Sequence, residues 1–268
     1  MEKRMNIDFK GKKGFICDMD GVLYHGNRVL PGAVEFVQWL QREQKDYLFL
    51  TNNSGMTPRE LGQKLERMGL SVPEEHFYTS ALATAEFLKA QAPNCSAFVI
   101  GEAGLLNALY DAGITMNDVN PDYVVIGEGR TYSLDTLTRA VNLVLGGARL
   151  IGANSDVSGN IEWGIAPACR ALIAPVEMAT GKQAYFCGKP NPLMMRTGLR
   201  LLGCHSEEAV VIGDRMDTDI ISGMESGMAT ILVLSGVSTR DTVKTYAYQP
   251  TVILDGVGDI PKLADQAC

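Results

Sequence analysis

The chain has 268 residues, 46% hydrophobic and 21% charged, with no low-complexity tract or fixed-period repeat. That is enough apolar material for one large α/β domain or for two, and it excludes disorder. A net charge of −7 argues against nucleic acid and against an anionic membrane surface, since both attract basic patches; an anionic substrate would need local positive charge.

Six cysteines (Cys17, Cys95, Cys169, Cys187, Cys204, Cys268) contain no C-x-x-C pair and are accompanied by only three histidines, which disfavours zinc. Several sit in apolar runs, as thiols do in a reducing compartment. Lys3, Arg4, Lys10, Lys12 and Lys13 are followed by no apolar stretch of signal-peptide length, and no run approaches a membrane span. The expectation is a cytoplasmic protein with no membrane partner.

The first predicted strand, Gly14–Cys17, ends in Asp18-Met19-Asp20-Gly21. Strand alternation sends Asp18 and Asp20 the same way. Two carboxylates at about 4 Å repel by about 4 kcal/mol at an effective dielectric near 20, and a divalent cation reverses that sign; taken alone, such a run also fits a solvated Asx turn. Helical periodicity over Pro31–Lys45, carrying Val34, Val37 and Leu40, precedes a strand Tyr47–Leu50 that ends in Thr51-Asn52-Asn53-Ser54-Gly55. The Thr51 hydroxyl and the backbone N–H groups after it suit either an anion-binding concavity or a polar turn. The next helix opens at the capping box Thr57-Pro58-Arg59-Glu60 and ends near Met68-Gly69.

Helical stretches Ser80–Ala90, Ala103–Ala112 and Ser133–Leu145 then alternate with strands Ala97–Ile100, Tyr123–Ile126 and Arg149–Ile151. The last runs into Gly152-Ala153-Asn154-Ser155-Asp156 and a loop with Trp163, where Asn154 and Asp156 fit either contact with a leaving group or ordinary turn chemistry. Gly127-Glu128-Gly129 lacks the third glycine of a dinucleotide fingerprint. Strand Ala184–Cys187 ends in Gly188-Lys189-Pro190, whose ammonium on a stiff backbone suits a phosphate dianion or a carboxylate. After a helix Pro192–Leu202, strand Ala209–Ile212 ends in Gly213-Asp214, with Asp217, Thr218 and Asp219 entering a helix Thr218–Ser226. Helix capping accounts for Asp217 but not for an aspartate that terminates an apolar strand. Strands Thr230–Leu234 and Thr251–Leu254 complete the pattern.

Strands alternating with helices predict an α/β fold with a parallel, Rossmann-like sheet, in which ligands sit beyond the carboxyl ends of strands. Carboxylates at two such ends, with threonine and lysine at two others, describe an oxygen-ligand Mg²⁺ site suited to a phosphoryl group. The order Asp18-x-Asp20-Gly21-Val22, Thr51-Asn52, Gly188-Lys189-Pro190 and Gly213-Asp214-x-x-x-Thr218-Asp219 resembles the four motifs of the haloacid dehalogenase-like phosphatases. The longer contexts Leu50-Thr51-Asn52-Asn53-Ser54 and Lys189-Pro190-Asn191-Pro192 resemble the NagD-type and 4-nitrophenylphosphatase-like branch.

That resemblance implies a Mg²⁺-dependent phosphatase of small phosphomonoesters. Asp18 would be the nucleophile and Asp20 the general acid and base. Asp18, the backbone carbonyl of Asp20, and Asp214 would hold the metal, with Asp219 behind them; Thr51, Asn52, Asn53 and Lys189 would bind phosphoryl oxygens. The interval from Thr51 to Lys189 is several times that from Asp20 to Thr51, and it has its own strand and helix alternation. It is therefore read as an inserted α/β cap over 82–183, with 1–81 and 184–268 forming the core. The partner is a small phosphorylated metabolite, and a homodimer through the cap is left open. Two alternatives remain at this point: a phosphoryl-transfer mutase, for which the short Asp20–Thr51 interval leaves little room for a cap, and an aspartate phospho-acceptor module, which needs no large insertion.

Overall fold

The computed structural model describes residues 7–130, 132–161 and 164–266, and of Asn160 the backbone alone. Lys3, Arg4, Trp163 and Cys268, named above, lie outside the described residues. Two compact units emerge. The first comprises the described residues of Met1–Thr51, Gly62–Phe77 and Met194–Cys268; the second comprises Asn52–Leu61 and Tyr78–Leu193. The expected cap span of 82–183 differs from the second unit at both ends and also lacks the segment 52–61.

The first unit is built on a six-stranded sheet in the order Val252–Leu254, Ala229–Val233, Ala209–Gly213, Gly14–Cys17, Asp46–Thr51, Phe77–Thr79. The central strand runs parallel to both neighbours, pairing Cys17 with Ile212 on one side and with Phe49 on the other. Gly14–Cys17 and Ala209–Gly213 are buried at every position, as expected of β-rich apolar runs covered on both faces. Helix Ala33–Arg42 buries Phe36, Val37, Trp39 and Leu40. Trp39 meets the strand residue Phe15 edge-on at 5.4 Å and stacks with Phe36 at 6.4 Å. Each such side chain removed from water stabilises the unit by about 1.5–3 kcal/mol. This core fixes the register that aligns the strand ends.

The second unit holds a parallel five-stranded sheet in the order Tyr185–Phe186, Arg149–Gly152, Tyr123–Ile126, Ser96–Ile100, Thr115–Met116. Its second strand in sequence, Thr115–Met116, lies at an edge, and its third pairs on the far side of the first. The chain thus reverses direction between Ser96–Ile100 and Tyr123–Ile126, the position at which doubly wound sheets open a crevice. Ile100, Val124, Ile126, Val144, Leu150, Ile173 and Val176 form one core cluster.

Three elements, two in this unit and one in the six-stranded sheet, differ from the sequence reading. An antiparallel hairpin pairs Ser158–Ile161 with Gly164–Pro167, short strands whose small and polar residues give little β signal. Helix Cys169–Thr180 contains Pro175, which reads locally as a helix breaker, yet its buried Ile173 and Val176 hold it on the sheet. Phe77–Thr79 is too short to show a period. Among the described residues no helix is long and apolar enough to cross a membrane. Five cysteines lie among the described residues, four of them buried and none in a disulfide.

Candidate active site

In the first unit, Asp18 follows the central strand, and its N–H donates to the carbonyl of Ile212 at 2.9 Å. The pairing therefore carries one residue past the strand and sets Asp18 beside the end of Ala209–Gly213, where Asp214 begins the next loop. Asp219 sits in a π-helical turn, Met216–Ile220, a conformation found mostly as single turns at functional sites. Its Oδ2 accepts the Arg215 N–H at 3.1 Å. Asp18, Asp214 and Asp219 each offer a carboxylate oxygen within 4.8 Å of the other two, and Asp214 and Asp219 are both 1% exposed.

The backbone has been cleared to let Asp214 in. A Cβ on Gly21, which holds φ +79°, would stand 2.5 Å from Asp214 Oδ2, and Gly236 leaves no room for one against the same oxygen. Val237 N–H donates to Asp214 Oδ2 at 2.7 Å, and Ser238 N–H donates to its carbonyl at 3.0 Å. Asp214 is thus locked in one rotamer. Three close carboxylates, two of them out of water, repel by several kcal/mol at the distances and dielectric considered above. All-oxygen donors of this kind suit a hard divalent cation of Mg²⁺ type, so the residues present fit the metal that the resemblance implies.

Asp20 does not join that cluster. Its side chain is 54% exposed, with Oδ1 3.7 Å from His25 Nδ1. Partial burial against its walls raises its pKa, and the charges of Lys64 and His25 pull it back. Lys64 Nζ stands 3.9 Å from the centre of the Tyr24 ring, and burial lowers its own pKa. A carboxyl that holds a proton more readily than usual is suited to donating one. Lys64 and His25 were passed over in the sequence, where both look like ordinary surface residues. Thr51, buried at 7% exposure, ends the strand Asp46–Thr51.

In the second unit the sequence-predicted residues also gather. The Asn52 amide brackets the backbone of Lys189: Lys189 N–H donates to Oδ1 at 2.7 Å, and Nδ2 donates to the Lys189 carbonyl at 3.0 Å. The same Nδ2 donates to Asp156 Oδ2 at 3.1 Å. Asn154 Nδ2 donates to the Asn52 carbonyl at 2.6 Å, and Asn154 Oδ1 accepts the Asp156 N–H at 3.1 Å. Gly188 makes the approach feasible, because a Cβ there would lie 2.8 Å from Asn52 Oδ1 and 2.7 Å from the Asn154 Cβ. Lys189 is 3% exposed and Asn154 is fully buried. Asn53 has a different part: its Oδ1 accepts from Gly55 N–H at 3.0 Å and Met56 N–H at 2.9 Å, closing a turn ahead of the Thr57 cap.

Glu128 was also passed over, although an acidic residue just past an apolar strand is the signal that picked out Asp214. Its Oε1 accepts from Asn154 Nδ2 at 3.1 Å, its Oε2 from Ser54 N–H at 3.2 Å, and its own N–H donates to Ser54 Oγ at 2.9 Å.

Comparison with known proteins places the chain in a family. Residues 15–115 match a family profile described as haloacid dehalogenase-like hydrolase, and residues 186–260 match a second, HAD-hydrolase-like profile. The chain is 47% identical over 246 residues to a dihydroxyacetone phosphatase of Corynebacterium glutamicum (strain R), covering 92% of this chain and 90% of that protein. It is 42% identical to the ribonucleotide monophosphatase NagD of Escherichia coli (strain K12), covering 92% and 98%. Among solved structures, 4-nitrophenylphosphatase from Thermotoga maritima superposes with a TM-score of 0.92 at 30% identity, over 97% of this chain and 100% of that one.

Proposed function

We propose that this chain, which belongs to the haloacid dehalogenase-like hydrolases, is a magnesium-dependent phosphatase that hydrolyses small phosphomonoesters through an aspartyl-phosphate on Asp18. The observation that carries the reading is the convergence of Asp18, Asp214 and Asp219 at the ends of two adjacent parallel strands. Asp18 and Asp214, with the carbonyl of Asp20, would hold the metal, and Asp219 supports the cluster through its bond to the Arg215 N–H. Bound there, the ion would neutralise charge on the phosphoryl oxygens.

Each residue has a defined task. Asp18 Oδ attacks phosphorus, forming a P–O bond as the bond to the leaving alcohol breaks, and Asp20 gives that alcohol its proton. Asp20, now a carboxylate, takes a proton from water, whose oxygen attacks the same phosphorus; inorganic phosphate leaves and the Asp18 carboxylate is regenerated. Thr51 and Lys189 bind phosphoryl oxygens, with Lys189 as the point charge, while the Asn52 amide, with both hydrogens engaged, holds the Lys189 backbone instead of a phosphoryl oxygen. The Asn53 side chain shapes the turn that presents Asn52. Asn154 holds the Asn52 carbonyl and Asp156 the Asn52 amide; Asn154, fully buried with both amide hydrogens engaged, braces this clamp and does not contact the leaving group that the sequence suggested for it.

The relatives named above act on a three-carbon ketose phosphate and on ribonucleotides, so the substrate class proposed here is a small phosphorylated metabolite of either kind. The test is phosphate release from dihydroxyacetone phosphate, ribonucleoside monophosphates, sugar phosphates and 4-nitrophenyl phosphate, with Mg²⁺ and with excess chelator. Chelator-sensitive turnover of at least one ester supports the reading; undiminished hydrolysis in chelator removes the metal from it.

A further inference from the structure

The crevice at the reversal point of the second unit's sheet, where such folds usually take a ligand, is filled by the chain itself. Segment 54–56 lies in it. Gly104 N–H donates to the Gly55 carbonyl at 3.0 Å, and a Cβ on Gly104 would stand 2.6 Å from the Met56 carbonyl oxygen and 2.7 Å from that of Ser54. On the other side, a Cβ on Gly127 would stand 2.8 Å from Ser54 Oγ. A glycine in the first turn of helix Ala103–Asp111 and another just past strand Tyr123–Ile126 therefore admit a loop where a ligand would otherwise sit. Glu128 holds that loop in place through the reciprocal pair with Ser54.

We infer that Glu128 is a positioning residue: its carboxylate holds the Ser54–Met56 turn and, through Asn154, the Asn52 clamp on Lys189. The hydrogen-bond directions leave no freedom. Asn154 Nδ2 faces the Asn52 carbonyl, an obligate acceptor, so its second hydrogen is the one that meets Glu128 Oε1. Asn52 Oδ1 takes the Lys189 N–H, so its Nδ2 must face the Lys189 carbonyl. Both protein groups that point at the Glu128 oxygens are donors, and the arrangement is complete with a carboxylate.

Glu128 is also poised to change state. Its pKa is raised to about 7: burial raises it most, the hydrogen bonds from Ser54 and Asn154 pull against that rise, and the Asp156 charge adds a smaller one. The other titratable groups facing it are Tyr132, whose hydroxyl donates to the Gly127 carbonyl at 2.8 Å, and Cys169, which starts the helix packed against this strand. Burial raises both, the thiol to about 12, so both stay neutral where Glu128 titrates. Glu102, ahead of helix Ala103–Asp111, would meet a Cβ on Gly129 at 3.1 Å and accepts the Arg130 N–H at 2.6 Å. Protonation of Glu128 places an O–H among donors and loosens the turn.

The anchoring stands on this geometry alone; its effect on catalysis rests on the phosphatase reading. Glu128→Gln keeps the shape but turns an amide N–H toward one of the two donors. In the full chain at pH 8 we expect KM to rise about tenfold with kcat within about twofold, the loss of one charge-assisted contact that positions rather than reacts. The variant to wild-type ratio of KM should collapse towards one as pH falls through about 7; the substrate's own ionisation affects both proteins alike and cancels in the ratio. An NMR readout needs no activity: the Ser54 amide resonance should titrate with a midpoint near 7 in the wild type and not in Glu128→Gln. Ser54→Ala, which keeps the Ser54 N–H and removes the return bond from Glu128 N–H, should retain the pH dependence of KM and guards against a Glu128 variant that fails to fold. A Ser54 amide that titrates identically in both proteins, or a KM ratio flat from pH 6 to about 8.5, overturns the inference. Absence of turnover with any ester would sink the phosphatase reading and leave the NMR result to decide the anchoring.

Discussion

Two loops that follow parallel strands carry acidic residues here, and they resolve the same physical problem in opposite ways. In the first unit, Asp18, Asp214 and Asp219 point at one another within 4.8 Å. In the second, Glu128 points at the N–H groups of Ser54 and Asn154. The first arrangement calls for a cation from outside; the second is satisfied by neutral donors of its own chain. An acidic residue ending an apolar strand thus signals a demand for positive potential, and the neighbouring strand end decides whether an ion or the backbone meets it. Where the neighbour is another carboxylate, a cluster that calls for a cation results. Where it is asparagine and a turn, the outcome is an internal anchor.

The most severe way to break the first arrangement is Asp18→Asn. An amide of nearly the same shape is a poor nucleophile, so turnover should fall by at least about 10⁴-fold. The fold should stand, and without metal the variant should melt above the wild type, because one of three repelling charges has gone. Stopped assays of phosphate release and melting curves in chelator check both halves. Retained turnover would return the nucleophile to another residue.

Asp214→Asn tests the cation itself. Asp214 is buried and locked by the Val237 N–H, so the variant loses charge without gaining room. The Mg²⁺ concentration for half-maximal activity should rise about 100-fold. In the wild type, Mg²⁺ at about 100 times its dissociation constant should stabilise the fold by about 2.7 kcal/mol, and that gain should shrink to about 0.4 kcal/mol in Asp214→Asn while surviving in Asn52 and Glu128 variants. A cap variant that lost it would show that the two regions do not meet their charge demands separately.

Asn52→Ala removes the amide that satisfies both backbone groups of the buried Lys189. Losing both bonds, while the Lys189 carbonyl keeps its contact from Ser155 Oγ at 3.4 Å, should cost about 1–3 kcal/mol by urea unfolding, and KM should rise more than kcat falls. Equal stability of variant and wild type would mean that water replaces the amide and that the bracket around Lys189 is not what orders it.

The carboxylate cluster was legible in the sequence because each of its parts ends or follows an apolar strand, and strand ends converge by the geometry of parallel sheets. Asp18, Asp214 and Asp219 could be read in this way before any coordinate. Asn52 and Lys189 were legible as residue types, but the bracket between them was not, since a contact across more than a hundred positions leaves no local mark. Glu128 was set aside with a glycine pattern that failed its nucleotide fingerprint, and its glycine neighbour in fact clears space for Ser54. The segment 52–61 groups with the second unit, although nothing in its composition separates it from the strand before it. Helix Cys169–Thr180 was hidden by Pro175, where burial of Ile173 and Val176 outweighs the lost backbone bond. Local propensity records chain chemistry, whereas ownership of a loop is decided by packing.

The smallest perturbation sharpens the contrast most, because it isolates one proton. Glu128 has its pKa raised from 4.5 to about 7 in the folded chain. Between those values the folded state binds more proton than the unfolded state, so this group's contribution to stability is largest at and below pH 4.5 and falls as pH rises to about 7. The sign is opposite to that of an ordinary paired carboxylate. Glu128→Gln cannot titrate, so the difference in melting temperature, wild type minus variant, should fall by about 5–10 °C from pH 5 to pH 8, with every other group cancelling. Scanning calorimetry of both proteins across that range, in chelator to silence the metal centre, measures it. A difference that rises with pH would mean that the Ser54 and Asn154 donors outweigh burial and that Glu128 is ionised throughout, an anchor without a switch.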